Sequence, residues 1–214
     1  VKQLLKDGVV VSNGKKIKSS GAHVDPEKDE IYVDGEKIVY SKYVYYMLNK
    51  PDGYVSATED NLYPTVIDLI KEYHPGLFPV GRLDVDTEGL LLITNDGQLA
   101  HRLLSPRTHV PKTYYVKVKG RLGIGDINAF TKGIPLEDFT CMPAFLNIIK
   151  SDEISECEVT IYEGKFHQVK RMFQACGKEV VYLKRISMGE LKLDESLKLG
   201  HYRPLTDEEI NSIL

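Results

Sequence analysis

The 214-residue chain is 42% hydrophobic and 28% charged, with a net charge of -3, 17 Gly and 10 Pro, which excludes wholesale disorder and a collagen-like fibre. Its length suits one large domain, or a small one joined to a medium one. The longest apolar runs, Tyr43 to Leu48 and Leu90 to Ile93, fall far short of the ~20 residues that span a bilayer. No basic-then-apolar leader opens the sequence, so a soluble, cytoplasmic protein is the expectation. The chain starts without Met and in the middle of a pattern, as expected for part of a longer product. Its three cysteines (Cys141, Cys157, Cys176) are odd in number and far apart. That fits reduced thiols filling small apolar spaces rather than a disulfide framework or a zinc site.

Residues 1–41 read as a small β-rich unit. A helix containing Leu4 and Leu5 ends at Gly8, Val9 to Val11 form a short strand, and Asn13-Gly14 is a strong two-residue hairpin signal. A second turn at Asp34-Gly35 separates strands Ile31 to Val33 and Lys37 to Val39. Near Ser41-Lys42 the pattern changes to a dense apolar strand, Tyr43 to Leu48, so a domain boundary is placed there and a second domain spans 42–214. Asn49-Lys50-Pro51-Asp52-Gly53 stops that strand. Thr65 caps a predicted helix whose Val66, Ile67, Leu69 and Ile70 share one face. Leu90 to Thr94 is a buried-type strand stopped by Asn95-Asp96-Gly97, and Gln98 to Leu104 is a short helix. Over Lys112 to Lys119, Tyr114, Val116 and Val118 alternate with Tyr115, Lys117 and Lys119, the period of a strand with one buried face. A helix over Asp126 to Lys132 and strands Phe145 to Ile149 and Cys157 to Tyr162 follow. Then come a helix from Phe166 to Cys176 closed by Gly177, a strand near Val180 to Leu183 and a last helix from about Thr206. The irregular mixture, with several hairpin turns, predicts the α+β class with a mixed, mainly antiparallel sheet.

The net charge hides a segregation. Residues 52–96 carry -7, residues 97–125 carry +6 with no acid among them, residues 163–189 carry +4, and the tail from Glu190 carries -3. Basic stretches of this kind form either solvated faces or a positive face of the sort a phosphate backbone would meet.

The most informative segment is Gly81-Arg82-Leu83-Asp84-Val85-Asp86-Thr87-Glu88-Gly89, in which three carboxylates and an arginine sit in a glycine-bounded loop before an apolar strand. The residues alone leave a turn with solvated acids, a catalytic site and a metal loop open. Metal binding is disfavoured, because the rest of a calcium-loop pattern is missing and Arg82 competes as counter-ion.

Gly81-Arg82-Leu83-Asp84, followed by Thr87-Glu88-Gly89-Leu90-Leu91 and Thr94-Asn95-Asp96-Gly97, resembles the signature of the RsuA-type pseudouridine synthases of bacterial ribosomal RNA. Lys112-Thr113-Tyr114 resembles the Lys-x-Tyr motif of that family. Glu163-Gly164-Lys165-Phe166-His167-Gln168-Val169-Lys170-Arg171-Met172 resembles its Glu-Gly-x-x-x-Gln-Val-(Lys/Arg)-Arg-Met motif, and Gly200-His201-Tyr202-Arg203-Pro204-Leu205-Thr206 its ending. Gly8 to Gly14 is similar to the second half of an S4 RNA-binding domain, so 1–41 reads as a partial S4-like domain. The first S4 helix and most of the next, which carry basic RNA contacts in the family, are missing from this sequence. Ser12 stands where Val is more usual. Lys170 replaces the Arg of many relatives, keeping the charge but not the bidentate geometry.

The resemblance implies isomerisation of uridine to pseudouridine in small-subunit (16S) rRNA, at position 516 of that RNA, on free rRNA or an assembling subunit. It implies no redox cofactor, phosphate donor, metal or membrane partner, and a monomer is expected. Asp84 is the implied carboxylate, either as nucleophile or as base for a sugar proton. Lys170 is its charge partner, and Tyr114 stacks on the base and assists proton loss from C5. The target nucleotide must be flipped out of the RNA. Arg82 would fill the vacated stack or hold a phosphate. Arg102, Arg107, Lys112, His167, Gln168 and Arg171 are candidate RNA contacts, some of which position the backbone without specifying sequence. Met172 and Phe173 read as core. The competing readings are a synthase of large-subunit rRNA, a non-catalytic RNA-binding or ribosome-assembly protein, and a glycosidase using Asp84 and Glu88 as paired carboxylates.

Overall fold

A computed structural model describes residues 1–25, 28–38, 41–72 and 74–214. The chain divides into two compact units, Val1–Lys42 and Tyr43–Leu214.

In the first unit a short helix, α1 (Lys2–Lys6), precedes strands β1 (Val10–Ser12), β2 (Lys15–Lys16), β3 (Ile31–Val33) and β4 (Glu36–Ile38), which form an antiparallel sheet in the order β2-β1-β3-β4. Both hairpin turns have the paired left-handed residues that a two-residue turn of type I′ requires: Asn13 and Gly14 at φ +49° and +77°, Asp34 and Gly35 at +52° and +82°. Of the strand predicted over Lys37 to Val39, Val39 lies outside the described residues.

The second unit is built on one mixed sheet. Its strands are β5 (Tyr45–Lys50), β6 (Phe78–Pro79), β7 (Glu88–Thr94), β8 (Lys112–Lys119), β9 (Phe145–Lys150), β10 (Ile154–Ile161), β11 (Glu179–Met188), β12 (Leu191–Lys192) and β13 (Tyr202–Pro204). The order is β13-β5-β7-β11-β8-β10-β9, with β6 on β7 and β12 on β11. All these pairings are antiparallel except β7 with β11. Helices α2 (Gly97–Leu104), α3 (Ile124–Lys132), α4 (Gln168–Ala175) and α5 (Asp207–Ile213) complete the unit.

The apolar pattern of β7 follows from this arrangement. Leu91 and Ile93 enter one core, with Tyr114, Val116, Leu183, and Phe130 and Phe173 of α3 and α4. Leu90 and Leu92 enter a second core, with Met47, Leu99 and Leu103 of α2, Met188 and Ile213 of α5. A strand covered on both faces must be apolar at every position, whereas β8, buried on one face, alternates. Met172 and Phe173 are fully buried, as core residues should be.

Several elements differ from the sequence-based expectation. The helix at Thr65 shrinks to one 3-10 turn, Val66–Leu69, because the Lys71 amide donates to the Tyr202 hydroxyl (2.9 Å) instead of a helical carbonyl. Helix α4 begins at Gln168 rather than Phe166, because His167 is left-handed (φ +48°) and the Lys165 amide is taken by Gln168 Oε1 (3.0 Å). Strand β11 runs past Leu183 to Met188, because β8 pairs with it along its whole length. Among the described residues no helix is long and apolar enough to cross a membrane.

Candidate active site

The loop between β6 and β7 has no ladder of its own and is held by its neighbours. Lys50, the last residue of β5, is fully buried, and its Nζ donates to the carbonyls of Pro51 (3.0 Å), Val85 (3.0 Å) and Thr87 (2.8 Å). Burial pushes its ammonium down to about 8, against the opposing pull of Asp52, Asp86, Asp84 and Glu88. Ser56 Oγ donates to the Leu83 carbonyl and accepts from the Leu83 amide, both at 3.0 Å. These bonds fix the backbone on both sides of Asp84.

Helix α4 supplies the countercharge. Lys170 Nζ lies 3.0 Å from Asp84 Oδ2 and 2.6 Å from Asp86 Oδ1, and His167 Nε2 lies 3.5 Å from Asp84 Oδ1. Partial burial pulls the Lys170 ammonium down, but the hydrogen bonds it donates to Asp86 and Asp84, with the charges of those carboxylates, outweigh it and hold it above the ordinary lysine value. Lys170 therefore stays charged against the two carboxylates. Asp86 titrates below the usual carboxylate range, since its bond to Lys170 and that residue's charge overcome its own partial desolvation.

Asp84 opens onto a small cleft of about 120 Å³ whose lining includes Arg82, Thr87, Lys112, Tyr114, His167 and Arg185. Tyr114 on β8 stands opposite Arg185 on β11, so their side chains share one face of the sheet, with Lys112 two residues before Tyr114 on that face. Lys112 is nearly buried, and its Nζ donates to the Val110 carbonyl (2.8 Å). Burial, reinforced by the charge of Arg185, pushes it down to about 8.

The structure thus brings Asp84, Tyr114, Lys170, Arg82, His167 and Lys112 to one cleft, with Arg82 exposed at the rim. Lys112 is not a surface contact, because its chain runs through the interior. Arg102 and Arg107 are exposed outside the cleft lining. Of the other two expected RNA contacts, Gln168 also lines the cleft and Arg171 lies outside its lining. Gln168 is buried, with its amide nitrogen on Glu163 Oε1 (2.7 Å) and its oxygen on the Lys165 amide, so it shapes the turn before α4. Arg171 pairs with Asp138 and lies over the Phe139 ring. Glu88, the second acid of the glycosidase reading, accepts from the Tyr182 hydroxyl (2.6 Å) and does not line the cleft, so it cannot face Asp84 across a substrate there. Sequence reasoning missed Lys50, Ser56, Thr87 and Arg185 as parts of the site. The available signal was a lysine ending an apolar strand and an arginine inside another. It also missed Phe166, 76% exposed and stacked on the cleft-lining His167 with ring centroids 3.7 Å apart.

A mixed sheet thus carries a loop aspartate, a helix lysine and a strand tyrosine to one cleft. Residues 44–175 match the family described as RNA pseudouridylate synthase, and the chain belongs to that family: it is an RNA pseudouridine synthase. It is 49% identical to the uncharacterized RNA pseudouridine synthase YtzG of Bacillus subtilis (strain 168), over 99% of this chain and 90% of that protein. It is 42% identical to ribosomal small subunit pseudouridine synthase A of Escherichia coli (strain K12), over 96% of this chain and 89% of the relative. A crystal structure of a pseudouridylate synthase superposes with a TM-score of 0.75 at 41% identity, covering 100% of this chain and 92% of the other.

Proposed function

We propose that this synthase isomerises one uridine of small-subunit (16S) ribosomal RNA, in the cytoplasm, as a monomer and without a cofactor. Residues 42–214 act as the catalytic domain and 1–41 as a partial S4-like RNA-binding domain. The similarity to small subunit pseudouridine synthase A supports the substrate. The observation that carries the chemistry is the Asp84–Lys170 pair, 3.0 Å apart at a cleft shared with Tyr114.

The uridine is flipped out of the RNA so that its ribose meets Asp84. Attack on C1′ and removal of a sugar proton both need a carboxylate oxygen free of its proton, and Lys170 supplies the countercharge for it. Tyr114 stacks on the uracil, holds it while it rotates, and assists loss of the C5 proton once the C1′–C5 bond has formed. Arg82 occupies the place the base has left. His167, with Phe166 stacked on it, contacts the flanking nucleotide, and Arg102 and Arg107 contact backbone phosphates.

The test is pseudouridine mapping by carbodiimide treatment and reverse transcription of small- and large-subunit rRNA, naked and in partly assembled subunits. One new stop in small-subunit RNA with the wild type, absent with Asp84→Asn, is the expected result. A stop confined to large-subunit RNA would keep the chemistry and overturn the substrate.

A further inference from the structure

Among the described residues three buried side-chain polar atoms have no hydrogen-bond partner: Arg185 Nη2, Thr87 Oγ1 and Asn49 Oδ1. The first two belong to residues that line the cleft of Asp84. Arg185 is 2% exposed, anchored by a bond from its Nε to the Leu90 carbonyl (2.8 Å). Lys112 lies beside it, and among the described residues neither cation makes an ion pair. Two buried positive groups without an acid between them, one with an unused donor, are costly to keep unless something else uses them.

We propose that the Arg185 guanidinium, backed by Lys112 and Thr87, receives the negative charge that the uracil ring acquires when its bond to ribose breaks. The proposal rests on this cleft being the catalytic centre. When the C1′–N1 bond opens, its electron pair stays on the ring and is shared by N1, O2 and O4. The same pair then forms the C1′–C5 bond, C5 loses its proton and N1 gains one, so the composition is unchanged. Arg185 shares the sheet face of Tyr114, so a ring stacked on Tyr114 presents an edge to the guanidinium. A charged donor there favours the ring anion over the neutral ring, and therefore accelerates rather than merely binds. A bound phosphate is the rival occupant. Its charge is the same before and during the reaction, so losing it would raise KM and spare kcat.

The experiment compares Arg185→Met and Arg185→Lys with wild type on RNA carrying uridine or 5-fluorouridine at the target. Fluorine stabilises the departing anion and lessens the need for the guanidinium. Arg185→Met should lower the single-turnover rate on uridine by about 100-fold with little change in KM. On 5-fluorouridine, which has no C5 proton to lose and is therefore followed by cleavage of its C1′–N1 bond rather than by pseudouridine formed, the loss should be several times smaller, and Arg185→Lys should recover part of the rate. A loss confined to KM, or an equal loss on both substrates, overturns the proposal. Wild-type protein gives a reading independent of whether Arg185→Met folds: barbiturate, a ring of uracil shape that is anionic at neutral pH, should inhibit about tenfold more strongly than uracil. Equal or weaker inhibition would sink the idea. Asp84→Asn is run alongside. If it remains active, the cleft itself is displaced as the centre. If it is dead while Arg185→Met is unimpaired, only the role of Arg185 falls.

Discussion

Lys50 shows how one residue sets the terms for another. It touches no cleft, yet its three carbonyl bonds fix the backbone that carries Asp84. Its folded pKa of about 8 lies below the ordinary 10.5, so its burial is a cost at neutral pH. Below about pH 8 both folded and unfolded chains hold the proton and that cost is fully present. Between about 8 and 10.5 the unfolded chain binds more protons, so this group's contribution to stability rises with pH by about 3 kcal/mol. Urea melts from about pH 7 to about pH 10 should show that rise in wild type and lack the Lys50 share of it in Lys50→Met. Lys112 titrates in the same window and is common to both proteins, so the difference isolates Lys50. At neutral pH, Lys50→Met leaves the Val85 and Thr87 carbonyls without their donor. Turnover should fall by about 100-fold as Asp84 drifts, with RNA affinity nearly unchanged in a filter-binding assay.

At the scale of elements the decisive contact is the parallel pairing of β7 with β11, in which Gly89 stands opposite Arg185. Gly89 is at φ +101°, and a Cβ there would sit 2.2 Å from the Arg185 carbonyl oxygen and 2.8 Å from its nitrogen. Both obstacles are backbone, so no side-chain rotation relieves them. Gly89→Ala should therefore lose about 3 kcal/mol or more in a denaturant melt; a change below about 1 kcal/mol would show that the strands can part. The same pairing marks what was legible beforehand. Strand β8 matched its predicted span because its alternation is local information, repeated over eight residues. The two hairpin turns were legible for a similar reason, since Asn-Gly and Asp-Gly are chemically suited to left-handed pairs. Strands β6, β12 and β13 are two or three residues long and leave no period to read. The start of α4 was displaced by one left-handed histidine. Asp84, Tyr114 and Lys170 stood out through their motifs. Lys50 and Arg185 did not, because their partners lie 35 and 95 residues away and only the sheet brings them together.

For the whole molecule, the segregation of charge reads differently once the partners are known. Residues 97–125 and 163–189 become neighbours because β8 pairs with β11 along its length. Five of their twelve bases are then engaged or buried within the protein. Lys119 pairs with Glu179 at 2.8 Å, Arg171 with Asp138, and Lys170 with Asp84 and Asp86, while Lys112 and Arg185 are buried at the cleft. Arg102 and Arg107 are exposed, and among the described residues neither makes an ion pair with an acid. The basic stretches taken whole therefore overstate the surface offered to RNA, and Arg102 and Arg107 remain on it together with the exposed Arg121 and Lys165. Each phosphate they neutralise should release counterions, so Arg102→Ala and Arg107→Ala should each reduce the slope of log affinity against log salt by about 1. The loss should be equal on target and non-target RNA, and the modified uridine should not move, because backbone contacts position without specifying. Titrations from about 50 mM to about 200 mM salt would measure it. An unchanged slope, or a loss confined to the target sequence, would remove both arginines from the phosphate contacts and leave the attraction of RNA to the cleft and the remaining exposed bases, Arg121 and Lys165 among them.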